Sequence, residues 1–168
     1  MHIKKHVIIL LSILLPLSLL IYFLMELDTG GNSQYCISNF SQYHNDFQTI
    51  AEKMLAVNEE IKSSEDHTVW IDYKQHQQVF CVLNGERIEM TEEDQKALNR
   101  VVNAFDSSTL FDRITMDKNR VTFNTEGNWY AVAYTVDDRK PRFMSDPKET
   151  FHIKVKKIVK HWYHIYSY

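Results

Sequence analysis

The hydrophobic positions of this chain follow three patterns, and the first is an unbroken apolar run near the N-terminus. Residues 7–25 contain no charged side chain. As a helix the run measures about 28 Å, which matches the ~30 Å hydrocarbon core of a bilayer. Lys4 and Lys5 precede it, and Glu26 and Asp28 follow it. Because basic residues beside a membrane helix stay in the cytoplasm, the pattern predicts a transmembrane signal anchor with the rest of the chain outside.

A cleaved signal peptide is the alternative explanation of this segment. Signal peptides have apolar cores of about 7–15 residues and small residues before the cleavage site. Here the apolar run is longer, and Thr29 with Gly31 makes a weak cleavage site. We therefore favour an uncleaved anchor, whereas cleavage near Gly31 would release a secreted protein.

Hydrophobic spacings of three and four form the second pattern and predict a helix over residues 40–61. Its apolar seam consists of Phe40, Tyr43, Phe47, Ile50, Met54, Val57 and Ile61. Ser38 or Asn39 can cap its first turn. An amphipathic helix packed on its own sheet explains the seam best. A coiled-coil dimer is the alternative, because the seam covers the three heptads that such a dimer needs as a minimum.

Alternation of apolar and polar residues is the third pattern, and it predicts short strands. The alternating segments are TVWIDY, QVFCVL, FDRITM, RVTFN and WYAVAYTV. Asn84-Gly85 predicts a tight hairpin turn, and Thr91 is the predicted N-cap of a second amphipathic helix, TEEDQKALNRVVNAF. Strands that outnumber helices and are joined by tight turns predict an α+β two-layer domain, an antiparallel sheet with two helices packed on one face. The predicted core includes Phe47, Ile50, Met54, Val69, Ile71, Val101, Phe105, Phe123, Trp129 and Val132.

The C-terminal segment, residues 147–164, is compatible with two structures. As a hairpin, FHIKV pairs with WYHIYSY through a turn at residues 159–161. The second strand then has Trp162, His164, Tyr166 and Tyr168 on one face and Tyr163 and Ile165 on the other. As a helix capped by Asp146, the segment would present a basic face suited to a membrane surface. Its β-branched residues favour the hairpin.

Charge is unevenly distributed along the exported part of the chain. Residues 26–138 carry 20 acidic and 9 basic side chains, whereas residues 139–168 carry 2 acidic and 8 basic ones. A candidate basic surface consists of Lys154, Lys156, Lys157 and Lys160. Such a surface would suit anionic lipid or a wall polymer, but packing beside the acidic remainder is the simpler explanation. Net acidity, without a basic and aromatic surface before Arg139, argues against nucleic-acid binding.

Few residues suggest catalysis or metal binding. The chain has no nucleophile elbow, phosphate-binding loop or zinc-protease motif. His161 and His164 are close in sequence but have no Cys or carboxylate beside them at ligand spacing, so we expect no metal and no cofactor. Cys36 and Cys81 both lie in the exported part and are candidates for a disulfide, with two free thiols as the alternative. A thiol buried inside VFCVL would have a raised pKa and be inert.

These patterns divide the chain into a cytoplasmic N-terminus (1–6), a transmembrane anchor (7–25), a tether (26–35) and an extracytoplasmic domain (36–168). We expect a membrane-anchored binding or interaction module without an evident catalytic site. Its anchor would contact lipid, and its domain would contact a protein or another cell-surface partner. The alternatives are a cell-surface hydrolase with catalytic residues dispersed in sequence, and an assembly subunit that dimerises through the 40–61 helix.

Overall fold

The described part of the chain is an α+β structure, as the hydrophobic patterns predict. The computed structural model describes residues 35–61, 65–74, 78–106, 108–142 and 152–167. Within these ranges lie eight strands and two α-helices. None of the helices described there has the length and apolarity needed to cross a bilayer. The predicted anchor, residues 7–25, lies outside the described residues.

The strands form a single antiparallel sheet. They are β1 His67–Lys74, β2 Gln78–Leu83, β3 Glu86–Arg87, β4 Phe111–Asp117, β5 Arg120–Thr125, β6 Tyr130–Thr135, β7 Ile153–Val159 and β8 Trp162–Ser167. Their spatial order is β3-β2-β1-β4-β5-β6-β8-β7. Most strands that are neighbours in the sheet are joined by tight turns. Asn84 and Gly85, which join β2 to β3, have φ of 51° and 86°, as the predicted Asn-Gly turn requires.

Two helices cover one face of this sheet. They are α1 Phe40–Ile61 and α2 Glu92–Ala104. The buried residues of α1 are Phe40, Phe47, Ile50, Ala51, Met54 and Asn58, and those of α2 are Ala97, Leu98, Val101 and Ala104. Except for Asn58, these side chains join alternate residues of the strands in one hydrophobic core. The apolar seam of α1 is therefore used inside the domain.

Local capping explains where α2 begins. The Thr91 side chain accepts a hydrogen bond from the Asp94 backbone at 3.1 Å, and the Asp94 carboxylate accepts one from the Thr91 backbone at 2.9 Å. These two bonds form a capping box, which satisfies amide groups that have no partner inside the helix. The predicted N-cap at Thr91 is confirmed.

Residues 153–167 of the C-terminal segment form a hairpin, so the alternative of a basic amphipathic helix is wrong there, whereas residues 147–151 lie outside the described residues. Strands β7 and β8 pair from Ile153 opposite Ser167 to Val159 opposite Trp162. Trp162 is fully buried on the face that the helices cover. The turn lacks glycine, and His161 takes a positive φ of 70°.

Asp138 compensates for the missing glycine in that turn. Its carboxylate accepts a hydrogen bond from the His161 backbone at 2.6 Å, and its carbonyl oxygen accepts one from the Tyr163 hydroxyl at 2.6 Å. Lys157 also pairs with this carboxylate at 2.6 Å. The Lys157 and His161 hydrogen bonds lower the pKa of Asp138 to about 2.

Two details of the sequence interpretation need correction. Trp129 is not a core residue, because it follows the 3₁₀ turn Glu126–Asn128 with helical backbone angles and leaves 43% of its surface exposed. Tyr130, the next residue, starts the alternation of β6 and is buried instead. The sequence patterns place Tyr35 in the tether, yet it is 8% exposed and stacks on His164 at a centroid distance of 4.2 Å. The compact domain therefore begins at Tyr35.

Candidate functional site

The face of the sheet opposite the helices carries an exposed group of aromatic and arginine side chains. We call it the outer patch, and it consists of Trp70, Phe80, Val82, Arg87 and Arg113. Trp70 is at its centre, since it pairs with Val82 of β2 on one side and with Arg113 of β4 on the other. It is 54% exposed, more than any other large hydrophobic side chain in the described residues.

Strand alternation explains why these side chains point outward together. Val69 and Ile71 are buried under the helices, so the intervening Trp70 faces the opposite side. Direct cross-strand partners share a face, and residues two positions along a strand do so as well. Alternation and register thus place a tryptophan on the solvent side of a strand whose neighbouring residues form the core.

Cation–π contacts hold the aromatic rings of the outer patch. The Arg113 guanidinium carbon lies 5.7 Å from the centre of the Trp70 ring, and that of Arg87 lies 3.8 Å from the centre of the Phe80 ring. Such contacts orient the rings without removing them from solvent. Tryptophan and arginine are the residue types most enriched at protein-binding hot spots.

Carboxylates partly neutralise the outer patch. Arg113 forms an ion pair with Asp112 at 2.5 Å. Burial raises the pKa of Asp112, and the Arg113 charge opposes this shift. The Asp112 Oδ1 atom is buried without a hydrogen-bond partner. With Asp72 also on the outer face, the surroundings of Trp70 carry both charge signs.

A second candidate site is a polar cleft of about 560 Å³ between the start of α1, the end of α2 and strands β1 and β4. Its polar lining residues are Ser38, Asn39, Gln42, Tyr43, Tyr73, Asn103, Asp106 and Thr109. The Tyr73 hydroxyl donates a hydrogen bond to the Phe111 carbonyl, and burial raises the pKa of Tyr73 to about 12. Among the described residues that line the cleft, Asp106 is the one carboxylate.

Cys36 and Cys81 are free, buried thiols in the structure rather than the disulfide considered from sequence. Cys36 lies beside Tyr130 of β6, whereas Cys81 lies in β2. Four strand spacings separate β2 from β6 in the sheet, or about 19 Å. A disulfide needs Cα atoms within about 7 Å. Burial raises the pKa of both thiols, to about 12 for Cys81, which suppresses their reactivity.

The four candidate lysines lie on the edge strand β7 and its turn, but they do not form one surface. Lys154 and Lys156 extend over the rings of Tyr166 and Tyr35, both at 5.8 Å from nitrogen to ring centre. Lys157 projects to the other face, where Asp138 raises its pKa. Lys160 belongs to the turn. Lysines on an edge strand also hinder pairing with another chain.

His164 and Tyr130 form a buried polar pair that sequence reasoning missed. The Tyr130 hydroxyl and the His164 ring share a hydrogen bond, with Oη 2.7 Å from Nδ1. Burial raises the pKa of Tyr130 and lowers the pKa of His164 to about 4, with the charge of Lys156 contributing to the second shift. The signal in the sequence was the helix-facing position of His164 in β8, between Trp162 and Tyr166.

The described residues contain no group of three or more His, Cys, Asp or Glu side chains placed to bind a metal. His161, which is close to His164 in sequence, contacts the Thr135 carbonyl through Nδ1 at 2.8 Å.

No protein-family model matches this chain, and comparison with curated proteins and with solved structures gave no significant match. Evidence for the function of the outer patch and of the cleft therefore comes from their residues and geometry.

Proposed function

We propose that this protein is a single-pass membrane protein whose extracytoplasmic α+β domain binds a protein partner through the outer patch. The uncharged run over residues 7–25, with lysines before it and carboxylates after it, supports the anchor and its orientation. The observation that carries the binding role is Trp70, which is 54% exposed at the centre of a sheet face.

The composition of the outer patch favours a protein over other partners. Protein interfaces are enriched in aromatic and arginine side chains, and their charges come in both signs. The Trp70 surroundings combine Arg87 and Arg113 with Asp72 and Asp112. A site for a polyanion would instead carry unopposed positive charge.

The two alternatives have weaker support in the described residues. A hydrolase would use the cleft, where Asp106 is not accompanied by a second lining carboxylate. The cysteines are buried and their pKa values are raised, which disfavours a thiol nucleophile. Dimerisation through α1 would require its buried seam, including Phe47 and Ile50, to leave the core.

Site-specific photo-crosslinking in intact cells tests the binding proposal. A photoreactive residue at Thr68, on the outer face two positions from Trp70, should give a covalent adduct with a partner protein. The same residue at Glu52, on the exposed side of α1, is the positional control and should give none. Trp70→Ala should abolish the Thr68 adduct. Val136→Ala, at another exposed hydrophobic residue, should preserve it.

Two outcomes would contradict the proposal. Equal labelling from Thr68 and Glu52, or an adduct that survives Trp70→Ala, would show that the outer patch is not the contact. Membrane topology is tested separately by adding protease to intact cells, which should digest the domain and leave the span in the membrane. A free domain in the medium that starts near Asn32 would show that the cleaved alternative is right.

A further inference from the structure

Large exposed hydrophobic side chains are concentrated at one end of the sheet. This end contains the last residues of β1, β5 and β8 and the first residues of β4, β6 and β7. The chain also joins the domain here, because Tyr35 contacts Tyr130 and Tyr166, and the Cys36 carbonyl accepts a hydrogen bond from Asp106 ahead of β4. We call this the tether end.

Four side chains form a row along the tether end. Tyr73, Leu110, Trp129 and Ile153 are 41%, 46%, 43% and 39% exposed. They lie at the ends of β1, β4, β6 and β7, so the row crosses five strand spacings, or about 24 Å, with Tyr73 on the helix-covered face and Ile153 on the outer face. The opposite end, with its turns at residues 118–119 and 160–161, has Val136 and Val159 as its large exposed hydrophobic residues within the described part of the chain.

The chain between the proposed anchor and the domain is short. Ten residue steps separate Met25, the last residue of the proposed anchor, from Tyr35. A fully extended chain of that length spans at most about 35 Å.

Charge at the tether end is mixed and is most basic near β7. Lys154 and Lys156 follow Ile153 along β7 and extend over tyrosine rings. Asp106 and Glu126 lie toward β4 and β6. Tryptophan and tyrosine prefer the headgroup region of a bilayer, and lysines near it are attracted to anionic lipid.

We infer that the domain rests on the outer surface of the bilayer by its tether end, with Tyr73, Leu110, Trp129 and Ile153 in the headgroup region. This inference rests on the proposed anchor, and it leaves the outer patch exposed at the side of the domain for its partner. The four side chains leave water when the tether end meets the lipid, and the lysines add attraction to anionic headgroups.

Fluorescence quenching in vesicles tests this orientation with the full chain. A fluorophore is attached at Glu126→Cys, at the tether end, or at Lys118→Cys, in the turn at the opposite end. The native thiols are buried, so the label goes to the introduced cysteine. Strand β5 separates the two labels by about 20 Å. With spin-labelled headgroups in the vesicle, the label at position 126 should be quenched strongly and that at position 118 weakly.

Paired variants show whether the hydrophobic row is responsible. Trp129→Ala with Ile153→Ala should lower the docked-to-undocked ratio at least about tenfold, because about 60 Å² of apolar contact is worth that factor. Val136→Ala with Val159→Ala removes equally exposed residues at the opposite end and should leave the quenching unchanged. Lys154→Gln with Lys156→Gln should remove the salt dependence that anionic vesicles confer.

The outcomes separate this inference from the anchor on which it rests. Release of the full chain by alkaline carbonate would disprove the anchor and the docking together. Retention in the vesicles with equal quenching at positions 118 and 126 would disprove the docking alone. Loss of quenching at position 126 in native membranes, with a protein crosslinked there instead, would identify the row as a protein interface and overturn the inference.

Discussion

Protonation of His164 should destabilise the domain in mild acid. The His164 side chain is 8% exposed, stacks on Tyr35, and shares a hydrogen bond with Tyr130. Burial lowers its pKa from the usual 6.5 to about 4, and Lys156 acts in the same direction. The unfolded chain therefore binds a proton at this site at higher pH than the folded chain does.

The size and sign of the effect follow from these pKa values. Above pH 6.5 His164 is neutral in both states, and its contribution to stability is complete. As the pH falls from 6.5 toward 4, the unfolded state is protonated first. The free energy of unfolding then drops by about 1.4 kcal/mol per pH unit, and by about 3 kcal/mol in total.

Urea unfolding from pH 8 to pH 4, followed by tryptophan fluorescence, measures this loss in a fragment that starts at Asn32. His164→Gln cannot titrate and should lack this component of the pH dependence, although it is less stable at pH 8. Because carboxylates titrate in both proteins, the informative quantity is the difference between the two profiles. His152→Gln, at an exposed histidine, is the matched control. Parallel profiles for wild type and His164→Gln would refute the argument.

Other substitutions test the core, the C-terminal strand and the thiols. Phe47→Ala should lower the free energy of unfolding by about 3–5 kcal/mol and Trp129→Ala by less than about 1 kcal/mol, because the first ring is buried and the second exposed; equal losses would contradict this core. Deleting residues 162–168 should abolish cooperative thermal unfolding, since β8 joins β6 to β7; an unchanged transition temperature would count against it. Cys36 and Cys81 should react with a thiol reagent only after denaturation, because burial raises the pKa of each; rapid labelling of the folded protein would oppose this.

The candidate sites were less accessible to sequence reasoning than the fold. In the alternating strand TVWIDY, Trp70 occupies one of the positions that face solvent. This position was the one feature of the sequence that indicated its exposure. Its relation to Arg87 and Arg113 depends on strand register, which brings β2, β3 and β4 beside β1. No local pattern links residues so distant along the chain.

The sequence alone determined those structural elements that depend on interactions between residues close together in the chain. The apolar periodicity of α1, the capping box at Thr91 and the Asn84-Gly85 turn each depend on residues within a few positions of one another. The same holds for the α+β class, because strand and helix patterns differ in period.

Tertiary structure decided the features that depend on contacts between distant residues. The C-terminal segment is a hairpin because Asp138 supports a turn without glycine and because β6 pairs with β8. Trp129 is exposed because it ends the 3₁₀ turn before β6, so the inward-facing alternation of this strand begins at Tyr130 and continues with Val132. Cys36 and Cys81 lie apart because strand order, which no periodicity encodes, places four spacings between β2, which contains Cys81, and β6, beside which Cys36 lies.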